Sequence, residues 1–265
     1  MAATARRLES QFRLPSPAIP VLLPPLPSVE SAASQALKEL RRGLEGRIAS
    51  RLTSGAELIE ALERRRRDQV VPTTLTAIDN LLDGGLPRGK MTEIAGRGAR
   101  FSIVTATLAS ATSIGEAAAL IDVGDGFDPQ IGEGAGIDLR RMLWVRPKTL
   151  KQAATAAEML VATGFQLVVL DIAPAESRRY IGRVPDAGWV RLARAAEAHG
   201  TALLISAPYA VTGTTSEAML RAEASHGRWN GSLLTGVETV LQLEKHRRKR
   251  PGQQARIAFQ VVECP

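Results

Sequence analysis

The segment Gly96-Arg97-Gly98-Ala99-Arg100-Phe101-Ser102-Ile103 follows the apolar run Met91–Ala95 and leads into a stretch of helical character. A glycine-rich turn between a strand and a helix start turns backbone N–H groups toward an anion, and the helix dipole adds to the attraction. That is phosphate-binding chemistry. The run Leu167-Val168-Val169-Leu170-Asp171 supplies its usual complement, because an apolar strand ending in Asp is how such proteins hold the Mg²⁺ of a nucleotide. Gly96, Gly98, Arg100, Ser102 and Asp171 are therefore assigned to a nucleotide or phosphate site.

The loop departs from the working pattern G-x-x-x-x-G-K-[ST], in which Lys meets the β- and γ-phosphates and the hydroxyl binds Mg²⁺. Counted from Gly96, the last three positions are Phe101, Ser102 and Ile103; in a shorter loop they are Ala99, Arg100 and Phe101, with Ser102 one place late. Arg100 suits bidentate contact with a phosphate, yet Arg for Lys is not a neutral exchange. A single electrostatic donor contributes roughly 2.7–4 kcal/mol to a transition state. Several such losses predict inefficient hydrolysis, while backbone N–H groups and Arg100 leave ATP binding without hydrolysis open, and no catalytic residue is assigned.

Three segments have the composition to touch nucleic acid or a protein partner. Arg178, Arg179, Tyr180 and Arg183 follow Asp171, a basic cluster with one aromatic able to stack on a base. A second stretch runs through Tyr209, Gly213, Arg221, Arg228 and Trp229. The third, Arg247-Arg248-Lys249-Arg250, precedes Pro251-Gly252, a turn that forces its charges outward. Binding of single-stranded DNA by several of these would be salt-sensitive. The three histidines (His199, His226, His246) have no metal-site spacing, Cys264 has no partner, and Ser206 has no predictable triad partners.

The elements that must position these residues follow from periodicity. Strands are expected at Met91–Ala95, Ala118–Asp122, Leu143–Arg146, Leu167–Asp171, Ala202–Ser206, Val237–Leu243 and Ile257–Val262, with helices near 102–113, 150–163, 187–199 and 215–224. Buried apolar runs alternating with helices predict an α/β fold, a mostly parallel central sheet covered on both faces. The last two strands read as an antiparallel hairpin around the basic turn. Upstream, residues 11–29 contain six of the fifteen prolines, so 1–29 reads as an extended arm. Residues 30–70 read as helical, ending in Arg64-Arg65-Arg66-Arg67, and 71–265 as the α/β core with its C-terminal hairpin.

The chain has 265 residues, 45% of them hydrophobic, a single Cys and a formal net charge of +7. This composition excludes general disorder and a disulfide scaffold. Residues 1–70 carry 12 basic and 8 acidic side chains and residues 244–265 six and two, against 16 and 17 in residues 71–243. Basic flanks on a near-neutral body fit a polyanion or an acidic protein partner, and equally a solvated surface. No apolar run approaches a membrane span, and the start lacks a secretory apolar core, so the expectation is a soluble cytoplasmic protein.

Two longer stretches are specific enough to suggest a family. Pro72-Thr73-Thr74-Leu75-Thr76-Ala77-Ile78-Asp79, continued by Gly84-Gly85-Leu86-Pro87-Arg88-Gly89-Lys90-Met91-Thr92-Glu93-Ile94, resembles the opening of the RecA recombinase core. Ile121-Asp122-Val123-Gly124-Asp125-Gly126-Phe127-Asp128-Pro129, with Gly136-Ile137-Asp138 and Leu143, resembles the stretch after its second strand. Within that superfamily the chain is most similar to the short proteins called inducible mutagenesis protein A. The resemblance implies a RecA-like P-loop fold over about 71–262 and an accessory role in SOS-type mutagenesis and translesion synthesis. The implied partners are RecA or error-prone polymerase subunits, including a Y-family-like homologue. By the same alignment the water-activating position is Gly124, beside Asp125, and the nucleotide-sensing glutamine is Ala207. Two other roles come from different classes: a DNA-dependent ATPase with Arg100 in place of the lysine, and a division-inhibitor-like binder of a cytoskeletal GTPase.

Overall fold

The computed structural model describes residues 69–172 and 184–261. Eleven strands and five α-helices follow in chain order: β1 (Val70–Val71), α1 (Thr76–Leu81), β2 (Leu86–Pro87), β3 (Met91–Gly96), α2 (Arg100–Ser113), β4 (Ala118–Asp122), α3 (Pro129–Gly134), β5 (Met142–Val145), α4 (Leu150–Ala162), β6 (Leu167–Asp171), α5 (Asp186–His199), β7 (Ala202–Ala207), β8 (Ala218–Ala222), β9 (His226–Asn230), β10 (Leu233–His246) and β11 (Gln254–Gln260). The segments expected in the N-terminal arm and helices lie outside the described residues, as do Arg178, Arg179, Tyr180, Arg183 and Cys264.

The strands are apolar because they are covered twice. The main sheet runs β5-β4-β6-β7-β3-β8-β10-β11, with β9 paired to β10. From β5 to β8 all pairings are parallel, and β10 is antiparallel to β8, β9 and β11. Alternation along each strand sends successive side chains to opposite faces. On one face Ile94, Leu120, Val169 and Leu204 pack with Ile103, Val104 and Leu108 of α2 and Ile78 of α1. On the other, Met91, Ile121, Leu170 and Ile205 pack with Ala153 and Ala157 of α4 and Trp189 and Leu192 of α5. The expected doubly covered α/β sheet with an antiparallel hairpin is the observed one.

One expected helix is a strand. The stretch 215–224 is rich in helix formers, but Ala218–Ala222 lies as β8 between β3 and β10. Its burial is nearly complete on both faces, with only Arg221 exposed. Backbone pairing on both sides of a buried strand outweighs a local preference of a few tenths of a kcal/mol per residue.

Candidate nucleotide site

Because β7 lies between β3 and β6, the glycine-rich turn after β3 and the Asp ending β6 are separated by one strand. Register across this region puts Asp122 of β4 beside Asp171 of β6, and Asp171 beside Ser206 of β7. Asp122 and Asp171 follow Leu120 and Val169 by two residues, and Ser206 follows Leu204 likewise; all three therefore stand on the α2 face at the carboxyl ends of their strands. The two carboxyls and one hydroxyl form a row.

Above that row stands Arg100, the first residue of α2. Arg100 opens the helix directly after the turn, where the shorter of the two counts puts the lysine's place. The Nη1 group donates to Ser206 Oγ at 2.6 Å and to Asp171 Oδ1 at 3.2 Å. The Arg100 and Asp171 side chains are 12% and 11% exposed, so this ion pair is buried. Burial pushes Asp171 up to about 6, opposed by the Ser206 hydrogen bond and the Arg100 charge and reinforced by Asp122. Burial also pulls Arg100 below its ordinary value, with the Asp171 charge opposing.

Asp122 is 1% exposed. Its Oδ2 accepts the Phe127 N–H at 2.9 Å, which anchors the segment after β4, while Oδ1 has no hydrogen-bond partner among the described residues. Sequence reading assigned no role to Asp122 and considered Ser206 only as a nucleophile. The available signal was that three apolar strands each reach a polar residue at the same depth in the sheet.

The glycines of the turn serve packing. A Cβ on Gly96 would collide with the carbonyl of Ala222, and one on Gly98 with the carbonyl of Glu223 and with Thr239 Oγ1. The turn thus lies directly on the end of β8, where the Thr239 hydroxyl donates to Glu223 O at 2.9 Å. Ala99, before the helix, is left-handed with φ 34°. Ser102 lies half-buried in the first turn of α2.

The positions aligned with the water-activating and nucleotide-sensing residues, Gly124 and Ala207, carry no polar side chain. Asp125, beside Gly124, is ion-paired with Arg146, whose guanidinium stacks 4.8 Å from the Trp144 ring centroid. The Arg146 hydrogen bond holds the Asp125 carboxyl below its usual range. Ala207 closes β7 with no polar side chain. The segment that follows is pinned by buried Glu93 of β3, which accepts Val211 N–H at 2.6 Å and the Thr212 hydroxyl. Mg²⁺ held by Asp171 beside a bound nucleotide does not fit this arrangement, because a guanidinium already occupies the carboxylate.

The remaining sequence-assigned residues are dispersed. Arg221 is ion-paired with Glu244, and Arg228 lies 3.8 Å from Glu238. Trp229 and Leu233, 63% and 62% exposed, sit on the β9–β10 hairpin. The basic tip lies at the opposite end of the sheet from Arg100, since His246 pairs with Ala218 and Ala218 with Thr92 near the start of β3. There Arg247 is 3.4 Å from Glu217, and Lys249 reaches Asp83 at 2.7 Å and Asn80 O at 2.6 Å. Arg248 and Arg250 are exposed. His246 Nδ1 accepts the N–H groups of Arg248 and Lys249 at 3.0 and 3.1 Å, so this histidine caps the turn. No group of three or more metal-ligating His, Cys, Asp or Glu side chains occurs among the described residues.

A family model described as the RecA N-terminal domain matches residues 45–180, half of the chain. The chain belongs to that family. It is 32% identical to Protein RecA of Clavibacter michiganensis subsp. michiganensis over 148 residues, covering 54% of this chain and 38% of that relative. To Protein RecA of Leifsonia xyli subsp. xyli it is 36% identical over 113 residues, covering 41% and 32%. The chain thus spans less than two-fifths of the length of these RecA relatives. A crystal structure of the RadB recombinase superposes with a TM-score of 0.53 at 22% identity, covering 73% of this chain and 96% of that one. That likeness establishes a shared fold. Among the described residues no helix is long and apolar enough to cross a membrane.

Proposed function

We propose that this chain is a RecA-related accessory protein of DNA repair and SOS-induced mutagenesis, acting in translesion synthesis by binding proteins and DNA without efficient ATP hydrolysis. The supporting observation is the Arg100 guanidinium bonded to Asp171 and Ser206, which uses the nucleotide-site residues on one another. The missing lysine and magnesium hydroxyl in the turn, with Gly124 and Ala207 at the water-activating and sensing positions, point the same way. In this reading the core is a rigid platform in the cytoplasm. Its partners are RecA or error-prone polymerase subunits, including a Y-family-like homologue, and single-stranded DNA. The basic residues Arg178, Arg179, Arg183 and Arg247 to Arg250, with Tyr180, are the contact candidates.

Calorimetric titration with Mg²⁺·ATP, alongside phosphate release with and without single-stranded DNA, tests this reading. The expected result is no DNA-stimulated turnover. Tight binding with stimulated turnover would instead establish a DNA-dependent ATPase in which Arg100 replaces the lysine.

A further inference from the structure

We infer that Arg100 is a resident cation: its guanidinium fills a position that Asp122, Asp171 and Ser206 would otherwise offer to a divalent metal, and removing it exposes a divalent-cation site. The inference rests on the reading that this core does not work through a nucleotide-bound Mg²⁺.

The row has the right ligand chemistry. Two carboxylates and a hydroxyl are hard oxygen ligands of the kind Mg²⁺ and Mn²⁺ prefer. They stand on adjacent parallel strands, in register and on one face, at the ~4.8 Å spacing of neighbouring strands. The row is not fully satisfied as it stands. One guanidinium serves Asp171 and Ser206, while Asp122 Oδ1, in a residue 1% exposed, is left without a partner among the described residues. A buried carboxylate oxygen with no donor is costly. The flat guanidinium, carried in from α2, satisfies one end of the row and leaves the other unmet. A spherical ion reaching the whole row has no such restriction.

Removing the guanidinium leaves two buried carboxyl groups side by side with no cation bonded to either among the described residues, Arg146 acting on Asp122 only through its field. A divalent ion would restore neutrality, and its binding would appear as stabilisation of the folded state. The full-length wild type, Arg100→Ala and Arg100→Met would be melted in EDTA and in Mn²⁺. Mn²⁺ binding would be counted separately from loss of the free-ion electron paramagnetic resonance signal.

The wild type is expected to melt at the same temperature in both buffers and to bind no Mn²⁺ tightly. Arg100→Ala is expected to melt lower in EDTA, to bind one Mn²⁺, and to gain about 5–10 °C at a hundredfold excess over its Kd. Adding Asp122→Asn should abolish that gain. A folded variant with no response to the ion, or a wild type that responds equally, overturns the inference. So does failure of both variants to fold at any Mn²⁺ concentration, because the row then cannot hold the ion. Mg²⁺·ATP turnover by the wild type would sink the proposed function as well. Absence of turnover in the wild type together with absence of any Mn²⁺ response in folded Arg100→Ala would sink this inference alone.

Discussion

The two ends of the sheet use the same charge chemistry to different effect. At the carboxyl end one guanidinium and one carboxylate, 12% and 11% exposed, are closed into the core. At the amino end Lys90 pairs with Glu197, Arg247 with Glu217 and Lys249 with Asp83, each with at least one member more than a third exposed, while Arg88 and Glu116 at the same end are 21% and 18% exposed. A buried pair is desolvated whether or not it is matched, so its partners depend on each other. An exposed pair trades protein contacts for water at little cost and can exchange its carboxylate for a phosphate. In this RecA-family chain the Arg100–Asp171 pair at the end expected to bind nucleotide is therefore fixed, whereas Arg146–Asp125 at the same end, 57% and 50% exposed, is not. At the opposite end Lys90 and Arg247 are the exchangeable cations, 37% and 62% exposed.

The sharpest way to break this contrast is to remove one cation from each end. Asp171 has little water to fall back on, so Arg100→Met should cost about 3–5 kcal/mol in urea unfolding. Arg247→Ala removes an exposed partner of Glu217 and should cost at most about 1 kcal/mol. Similar losses from both would show that the carboxyl end is hydrated and would remove the main support for a self-occupied site.

How much of this contrast was legible in the sequence depends on whether its cause is local. The alternation of apolar strands and helices was legible because burial on both faces forces it, as in Leu167–Asp171 and Ala202–Ala207. The Gly96–Gly98 turn was legible as a place of close approach, but not as to what approaches. Only the fold shows that Glu223 and Thr239 fill that space. Arg100 was found by its position, yet its direction depends on Ser206, 106 residues away in sequence. β8 was misread because its partners β3 and β10, not its own residues, make it a strand. The basic tip was correctly placed in a hairpin turn; that it lies opposite the nucleotide loop follows from strand order.

A smaller effect sharpens the comparison through pH. Because the folded state raises Asp171 to about 6 from its ordinary value of 3.8, the native protein binds this proton more tightly than the unfolded chain does. The contribution is fully present below about pH 4 and is lost as pH rises through about 6. The stability of the wild type relative to Asp171→Asn should therefore be greater at pH 5 than at pH 7.5, as read from urea midpoints at the two values. A difference that stays constant, or that grows with pH, would mean that Asp171 is not held in a desolvated site.

The smallest effect is expected at the amino end, and it separates residues that the sequence grouped together. Lys249 is held by Asp83 and by the Asn80 carbonyl near the end of α1, whereas Arg248 and Arg250 are exposed on the same turn. If this tip meets single-stranded DNA, each phosphate contact contributes about 0.7 to the slope of log affinity against log salt. Arg248→Ala and Arg250→Ala should each lower the slope by about that amount while leaving thermal stability unchanged. Lys249→Ala should do the reverse, lowering the melting temperature by a few degrees at most with little change in slope. Equal slopes for all three variants and the wild type would remove the tip from the DNA-binding surface. A loss of slope in Lys249→Ala equal to that of Arg248→Ala would show that Lys249 gives up Asp83 for phosphate, making its ion pair the exchangeable contact that distinguishes this end from the Arg100 site.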